Sequence, residues 1–149
     1  MREITRSALV PYTPQQMFAL VADVERYPQF LPWCLGAQII ERTADEIIAS
    51  LELGKGGMRE KFTTRNVLSP PQAMQLHLID GPFKTLEGEW SFDAIQNRGS
   101  RIGLKMRFEF ANPLTALLLS KSFENSLNTL VDAFTARAQS IYGTPHASA

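Results

Sequence analysis

The sequence predicts an α+β fold, a curved seven-stranded antiparallel sheet wrapped around one long C-terminal helix. Three observations carry that expectation. From Ala37 to Phe110 apolar residues alternate at period two, interrupted by turn residues about every ten positions, which is the pattern of an antiparallel meander. One strand and one short helix precede this stretch. After it, apolar residues recur at helical spacing for about 30 residues, long enough at 1.5 Å per residue to cross the whole sheet.

Glu3 to Val10 reads as the first strand, ended by Pro11. Thr13-Pro14-Gln15-Gln16 then offers a capping threonine, a proline at the first helical position and a glutamine three residues on. Met17, Leu20, Val21 and Val24 give that helix one apolar face, and Pro28 is expected to stop it. YPQFLPWC, Tyr27 to Cys34, holds two prolines, three aromatics and a leucine, which excludes a regular helix or a central strand. Six strands fit the alternating stretch: Gln38 to Arg42, Glu46 to Leu53, Met58 to Leu68, Ala73 to Ile79, Lys84 to Ala94 and Ile102 to Phe110. Thr43-Ala44-Asp45, Gly54-Lys55-Gly56-Gly57, Ser69-Pro70-Pro71, Asp80-Gly81-Pro82 and Asn97-Arg98-Gly99-Ser100 supply the turns between them.

Alternation points Met58, Phe62, Met74, Leu76, Leu78, Leu86, Gly88, Trp90, Phe92, Ile102, Leu104, Met106, Phe108 and Phe110 toward one face. Arg59, Lys61, Arg65, His77, Glu87, Glu89, Lys105, Arg107 and Glu109 point toward the other. One face is dry and one wet, as in a sheet covered on a single side. Asn112-Pro113 opens the last helix, which runs to about Tyr142. Its apolar stripe comprises Leu114, Leu117, Leu118, Phe123, Leu127, Leu130, Val131, Phe134, Ala138 and Ile141. Residues 1–143 are expected to form one domain and 144–149 a disordered tail.

The order of these elements, the run Asp23-Val24-Glu25-Arg26-Tyr27-Pro28-Gln29-Phe30-Leu31-Pro32-Trp33-Cys34 and the LEGEW of Leu86 to Trp90 carry a resemblance over nearly the whole chain. The sequence resembles the coenzyme Q-binding and ribosome association toxin family of the START-like, polyketide cyclase-related superfamily. That resemblance implies a helix-grip fold of the START/Bet v 1 type. It also implies one of two activities: binding of ubiquinone or a related prenyl lipid in support of respiration, or association with the large ribosomal subunit that blocks subunit joining, as in a toxin–antitoxin system. The first is the expected role and the second the alternative. No cofactor is implied beyond ubiquinone as a bound ligand.

Composition narrows the partners. Lys plus Arg and Asp plus Glu both number 15, so no long-range field draws the chain to nucleic acid or anionic lipid, and DNA is not an expected partner. The apolar run Leu114 to Leu119 is far below the roughly 20 residues that span a bilayer, and MREITRSALV has no apolar core of a secretory signal. The expected location is the cytoplasm, with transient contact at the inner membrane surface. A single cysteine, Cys34, excludes an intramolecular disulfide and a cysteine-rich zinc site.

A curved sheet with a helix laid across it leaves a wedge that small residues such as Gly88 and Ala49 do not fill. The candidate lining is Phe30, Leu31, Trp33, Met58, Glu60, Phe62, Leu76, Leu78, Trp90, Phe92, Met106, Phe108, Leu117 and Leu118. Any single methionine here is better read as core filler, and the case is collective. Phe30, Leu31 and Trp33 either form a lid on the wedge or close the end of the core. Glu60 is the one charge on the inward register of its strand, either a head-group contact or a solvated strand end. Arg59, Lys61, Arg65, Lys105 and Arg107 are candidate ribosomal RNA contacts, against which stands a solvated face diluted by Glu87 and Glu89. His77 and His146 lack metal-ligand partners, Cys34 has no base beside it, and Gly54-Lys55-Gly56-Gly57 lacks phosphate-loop spacing, so no catalytic group or metal site is expected.

Overall fold

The computed structural model describes residues 2–55, 58–96 and 98–143, without the side chains of Lys55 and Met58. The element order is β1 (Arg2–Val10), α1 (Pro14–Ala22), a 3-10 helix (Val24–Gln29), β2 (Cys34–Arg42), β3 (Glu46–Lys55), β4 (Met58–Ser69), β5 (Ala73–Asp80), β6 (Phe83–Ala94), β7 (Ser100–Phe110) and α2 (Pro113–Tyr142). The expected tail at 144–149, with His146, and the expected turn residues Gly56, Gly57 and Asn97 lie outside the described residues.

All seven strands form one antiparallel sheet in the order β1-β7-β6-β5-β4-β3-β2. Each strand from β2 to β7 pairs with its sequence neighbour, and β1 closes against β7 with Ile4 opposite Met106. Register shifts fall in β2 against β3, in β4 against β5 at Thr63/Thr64, and in β6 against β7 at Phe83/Thr85. Such bulges bend a strand and raise its twist, which curls the sheet around α2.

Local chemistry sets the ends of the helices. The Thr13 hydroxyl accepts from the Gln16 amide while the Gln16 side chain accepts from the Thr13 amide, a complete capping box with Pro14 behind it. α1 stops at Ala22, earlier than Pro28 alone would require. The chain folds back through the 3-10 helix, and the buried Tyr27 phenol donates to the Val21 carbonyl, satisfying one of the orphaned groups at the end of α1. Asn112 caps α2 by accepting from the Thr115 amide, and its far end is held where Tyr12 donates to the Gly143 carbonyl and Tyr142 to that of Gln16.

The core lies between the concave face of the sheet and α2. Phe123, Leu127, Val131, Phe134 and Ala138 recur every three or four residues along α2 and are all buried. They meet Leu86, Trp90, Phe92, Ile102, Leu104, Met106 and Phe108 from β6 and β7. The expected stripe is longer than the buried one. Leu114, Leu117 and Leu118 are 65%, 78% and 53% exposed, and Ile141 is exposed at the other end. The first turns of α2 overhang a groove instead of seating on the sheet, which is why these leucines keep their solvent contact.

Candidate functional site

Two spaces sit beneath α2, and the inward row of β4 runs along both. Glu60 lines the outer one, while Phe62, Thr64 and Asn66 line the inner. The outer space is a groove of about 470 Å³ open to the surface, with Leu53, Pro82, Phe83 and Phe110 on the sheet side and Leu117, Leu118, Lys121 and Phe123 on the helix side. The inner space is a cavity of about 80 Å³ bounded by Leu76, Trp90, Leu104 and Met106 on the sheet and Leu127, Leu130 and Phe134 on α2. Trp33, Phe123 and Ser126 line both and form the partition between them. Typical small-molecule sites occupy about 300–1,000 Å³, so the groove has the volume of a ligand site and the cavity, as it stands, has room only for one end of a ligand.

The expected lining divides accordingly. Trp33, Glu60, Leu117 and Leu118 border the groove, and Trp33, Phe62, Leu76, Trp90 and Met106 border the cavity. Five others do not line either space. Leu31, Phe92 and Phe108 are sealed in the core, where Phe92 stacks on Trp90 at 6.2 Å and Phe108 meets Phe123 edge-on at 4.9 Å. Leu78 is half-buried beyond the cavity wall, next to the bulge that shifts β5 against β4. Phe30 lies on the other side of the 3-10 segment, packed on Tyr27 and Phe134 under the Arg137 guanidinium, which stands 5.0 Å from its ring centre. The side chain of Met58 is outside the described residues.

The proline-rich bend is therefore two things at once: Leu31 closes the core, and Trp33 alone of its three large apolar residues reaches the mouth. Gly54 donates to the Trp33 carbonyl at 3.0 Å, pinning that rim to β3. Thr64 and Asn66 are absent from the expected lining although both are buried, at 8% and 4% exposure. The period-two count that places Phe62 inward places them inward as well, but their polarity reads as surface.

The five outer-face bases lie where alternation puts them, yet four are engaged. Arg59 pairs with Glu52 at 3.1 Å, Arg65 with Glu46 at 3.3 Å, Arg107 with Glu87 at 3.3 Å and Lys105 with Glu3 at 3.9 Å. The surface they share with Lys61 is a mixed lattice of charge instead of a bare cationic patch.

Burial pushes the Cys34 thiol up to about 11, with a backbone hydrogen bond at Gly36 opposing the effect and the Glu52 carboxylate adding to it. Burial likewise holds the Tyr27 phenol far above its ordinary range. Both groups stay protonated near neutrality, which suits packing and not nucleophilic attack. Among the described residues no cluster of three His, Cys, Asp or Glu side chains has metal-site geometry, and no helix is long and apolar enough to cross a membrane.

Residues 10–135 match the family model described as polyketide cyclase/dehydrase and lipid transport. The chain belongs to that family. Within it, the chain is 44% identical to the ribosome association toxin RatA of Pseudomonas aeruginosa, over 94% of this chain and 97% of that protein. It is 43% identical to the protein of the same name from Escherichia coli K12, over 95% and 90%. The mitochondrial coenzyme Q-binding protein COQ10 of Dictyostelium discoideum is 29% identical, over 96% of this chain and 71% of that one. Among solved structures, an 18 kDa protein of Caulobacter crescentus superposes with a TM-score of 0.75 at 31% identity, covering 97% of this chain and all of that one. The Zhui aromatase/cyclase of a Streptomyces strain superposes at 0.82 over 93% of each chain with only 16% identity, a likeness of fold. The polyketide cyclase/dehydrase and lipid transport family thus supplies the helix-grip architecture expected from the sequence, and the chain is similar to proteins named for each of the two implied activities.

Proposed function

We propose that this protein acts through the ribosome, binding the large subunit and hindering its joining to the small one, without a catalytic step. This reverses the order of the two activities that the sequence implies. The observation that carries it is the 44% identity, over 94% of the chain, to a relative named for ribosome association. The geometry is compatible because ribosome binding asks nothing of the interior, which is nearly filled. Since four of the five outer-face bases are engaged with carboxylates, the contact would draw on shape and on local charge exchange more than on a cationic field. The test is sedimentation of purified protein with separated subunits. Co-migration with the large subunit and loss of whole ribosomes on mixing are expected. Migration at the top of the gradient, with subunit joining intact, would sink the reading.

A second reading, carriage of a prenyl lipid such as ubiquinone, is favoured by a specific feature: an apolar groove of about 470 Å³ leading to a polar-tipped cavity. The exposed Leu114, Leu117 and Leu118 beside that groove would also suit brief contact with a membrane surface. Mass spectrometry of organic extracts from native protein checks it, and an extract free of prenyl lipid counts against it.

A further inference from the structure

Asn66 stands where an asparagine is costly. It sits in mid-strand on β4, 4% exposed, in a cavity whose other walls are largely aliphatic and aromatic. Its side-chain oxygen accepts a 2.7 Å bond from the Thr64 hydroxyl, two residues back along the same face. Its side-chain nitrogen donates to no group among the described residues. The nitrogen is not walled in either, since Thr85 Oγ1 is the one fully enclosed side-chain polar atom left unpaired among them, and Asn66 lines the cavity. Thr64 therefore turns the amide so that a donor faces open space. The register shift between β4 and β5 falls at Thr63/Thr64, at the place where that row of side chains must be aimed. The same cavity is lined by the rings of Tyr27, Phe62, Trp90, Phe123 and Phe134.

The geometry points to Asn66, oriented by Thr64, as the anchor for a hydrogen-bond acceptor, a carbonyl on a flat ring, at the inner end of a ligand whose apolar remainder passes the Trp33–Phe123–Ser126 partition into the outer groove. An unused buried donor in an aromatic cavity discriminates strongly, because a ligand without an acceptor leaves the donor unpaired and a ligand with one satisfies it. The Met106 thioether lines the same cavity and is flexible enough to give way to a ring. This deepens the small-molecule reading and owes nothing to the ribosomal one.

Acetophenone and ethylbenzene make the test, since they share ring and size and differ in the carbonyl. Titrated into isotope-labelled full chain, acetophenone is expected to bind about tenfold more tightly and to move the Asn66 side-chain amide resonance, which ethylbenzene leaves in place. Asn66→Leu should erase the preference, and combining it with Thr64→Val, which removes the hydroxyl that the single change would strand, should leave the midpoint of thermal unfolding unchanged or raised, because both partners of the buried bond and the unpaired donor are then gone. A merely structural asparagine would show the opposite, a lowered midpoint with the preference intact. If Asn66→Leu fails to fold, Thr64→Val tests the same donor by freeing the amide to turn, and the preference for acetophenone should weaken. Equal binding of both compounds to the native protein would overturn the acceptor assignment and leave an apolar pocket. Binding of neither would overturn the assignment and the small-molecule reading together.

Discussion

Cys34 shows how environment decides what a residue can do. It opens β2 with 3% of its surface exposed, and its Sγ lies 3.4 Å from the Gly36 carbonyl. Ionising it would place a thiolate in an apolar wall near Glu52, and burial accordingly lifts the thiol to about 11 from an ordinary value near 9. At pH 8 the thiolate fraction should be about a hundredfold below that of a free thiol, so iodoacetamide should label native protein slowly and unfolded protein fast. The unfolded thiol ionises first as pH rises, so Cys34 contributes its full stabilisation below pH 9 and loses it progressively as pH climbs through about 11. Native labelling as rapid as that of the denatured chain would refute this account of the site.

At the scale of elements, α2 divides into a half that holds the fold and a half that does not. From Phe123 onward its inner face is buried, and Phe134 touches Tyr27, Phe30 and Trp90 at ring separations of 5.4, 5.1 and 5.2 Å. Phe134→Ala should cost about 3–5 kcal/mol, read by urea unfolding. Leu117→Gln and Leu118→Gln should each fall within about 0.5 kcal/mol of zero, because these side chains already meet water. A cost above about 1.5 kcal/mol for either would mean that the groove is closed in solution. The same division marks what the sequence could disclose. Period two revealed β3 to β7 almost to the residue, because one covered face forces strict alternation. The start of β2 escaped, since Cys34-Leu35-Gly36 carries a bulge in place of alternation. The helical stripe was legible but not where the sheet beneath it ends, for Leu114 and Leu127 look alike until a partner surface is given. Thr64 and Asn66 were hidden for the reverse reason: their register was right and their polarity argued against it.

At the scale of the whole molecule, the two proposed activities draw on different parts, and Gly88 lets them be separated. It faces inward from β6, and the space its side chain would take holds the thioether of Met106, with the Leu76 Cδ1 atom 3.3 Å away. Met106 and Leu76 both line the inner cavity. Gly88→Ala must therefore drive a flexible thioether toward that cavity, at a cost of about 1 kcal/mol because the displaced atom is the far end of a methionine and not backbone. The cavity shrinks from within, and no atom on the outer face or on the exposed turns of α2 is touched. Acetophenone affinity should then fall at least about fivefold, while sedimentation with the large ribosomal subunit is unchanged. Loss of both together would mean that ribosome binding depends on the state of the interior, making the cavity a control point for the surface. Retention of both would mean that acetophenone binds elsewhere, and the cavity would revert to an ordinary packing defect beneath α2.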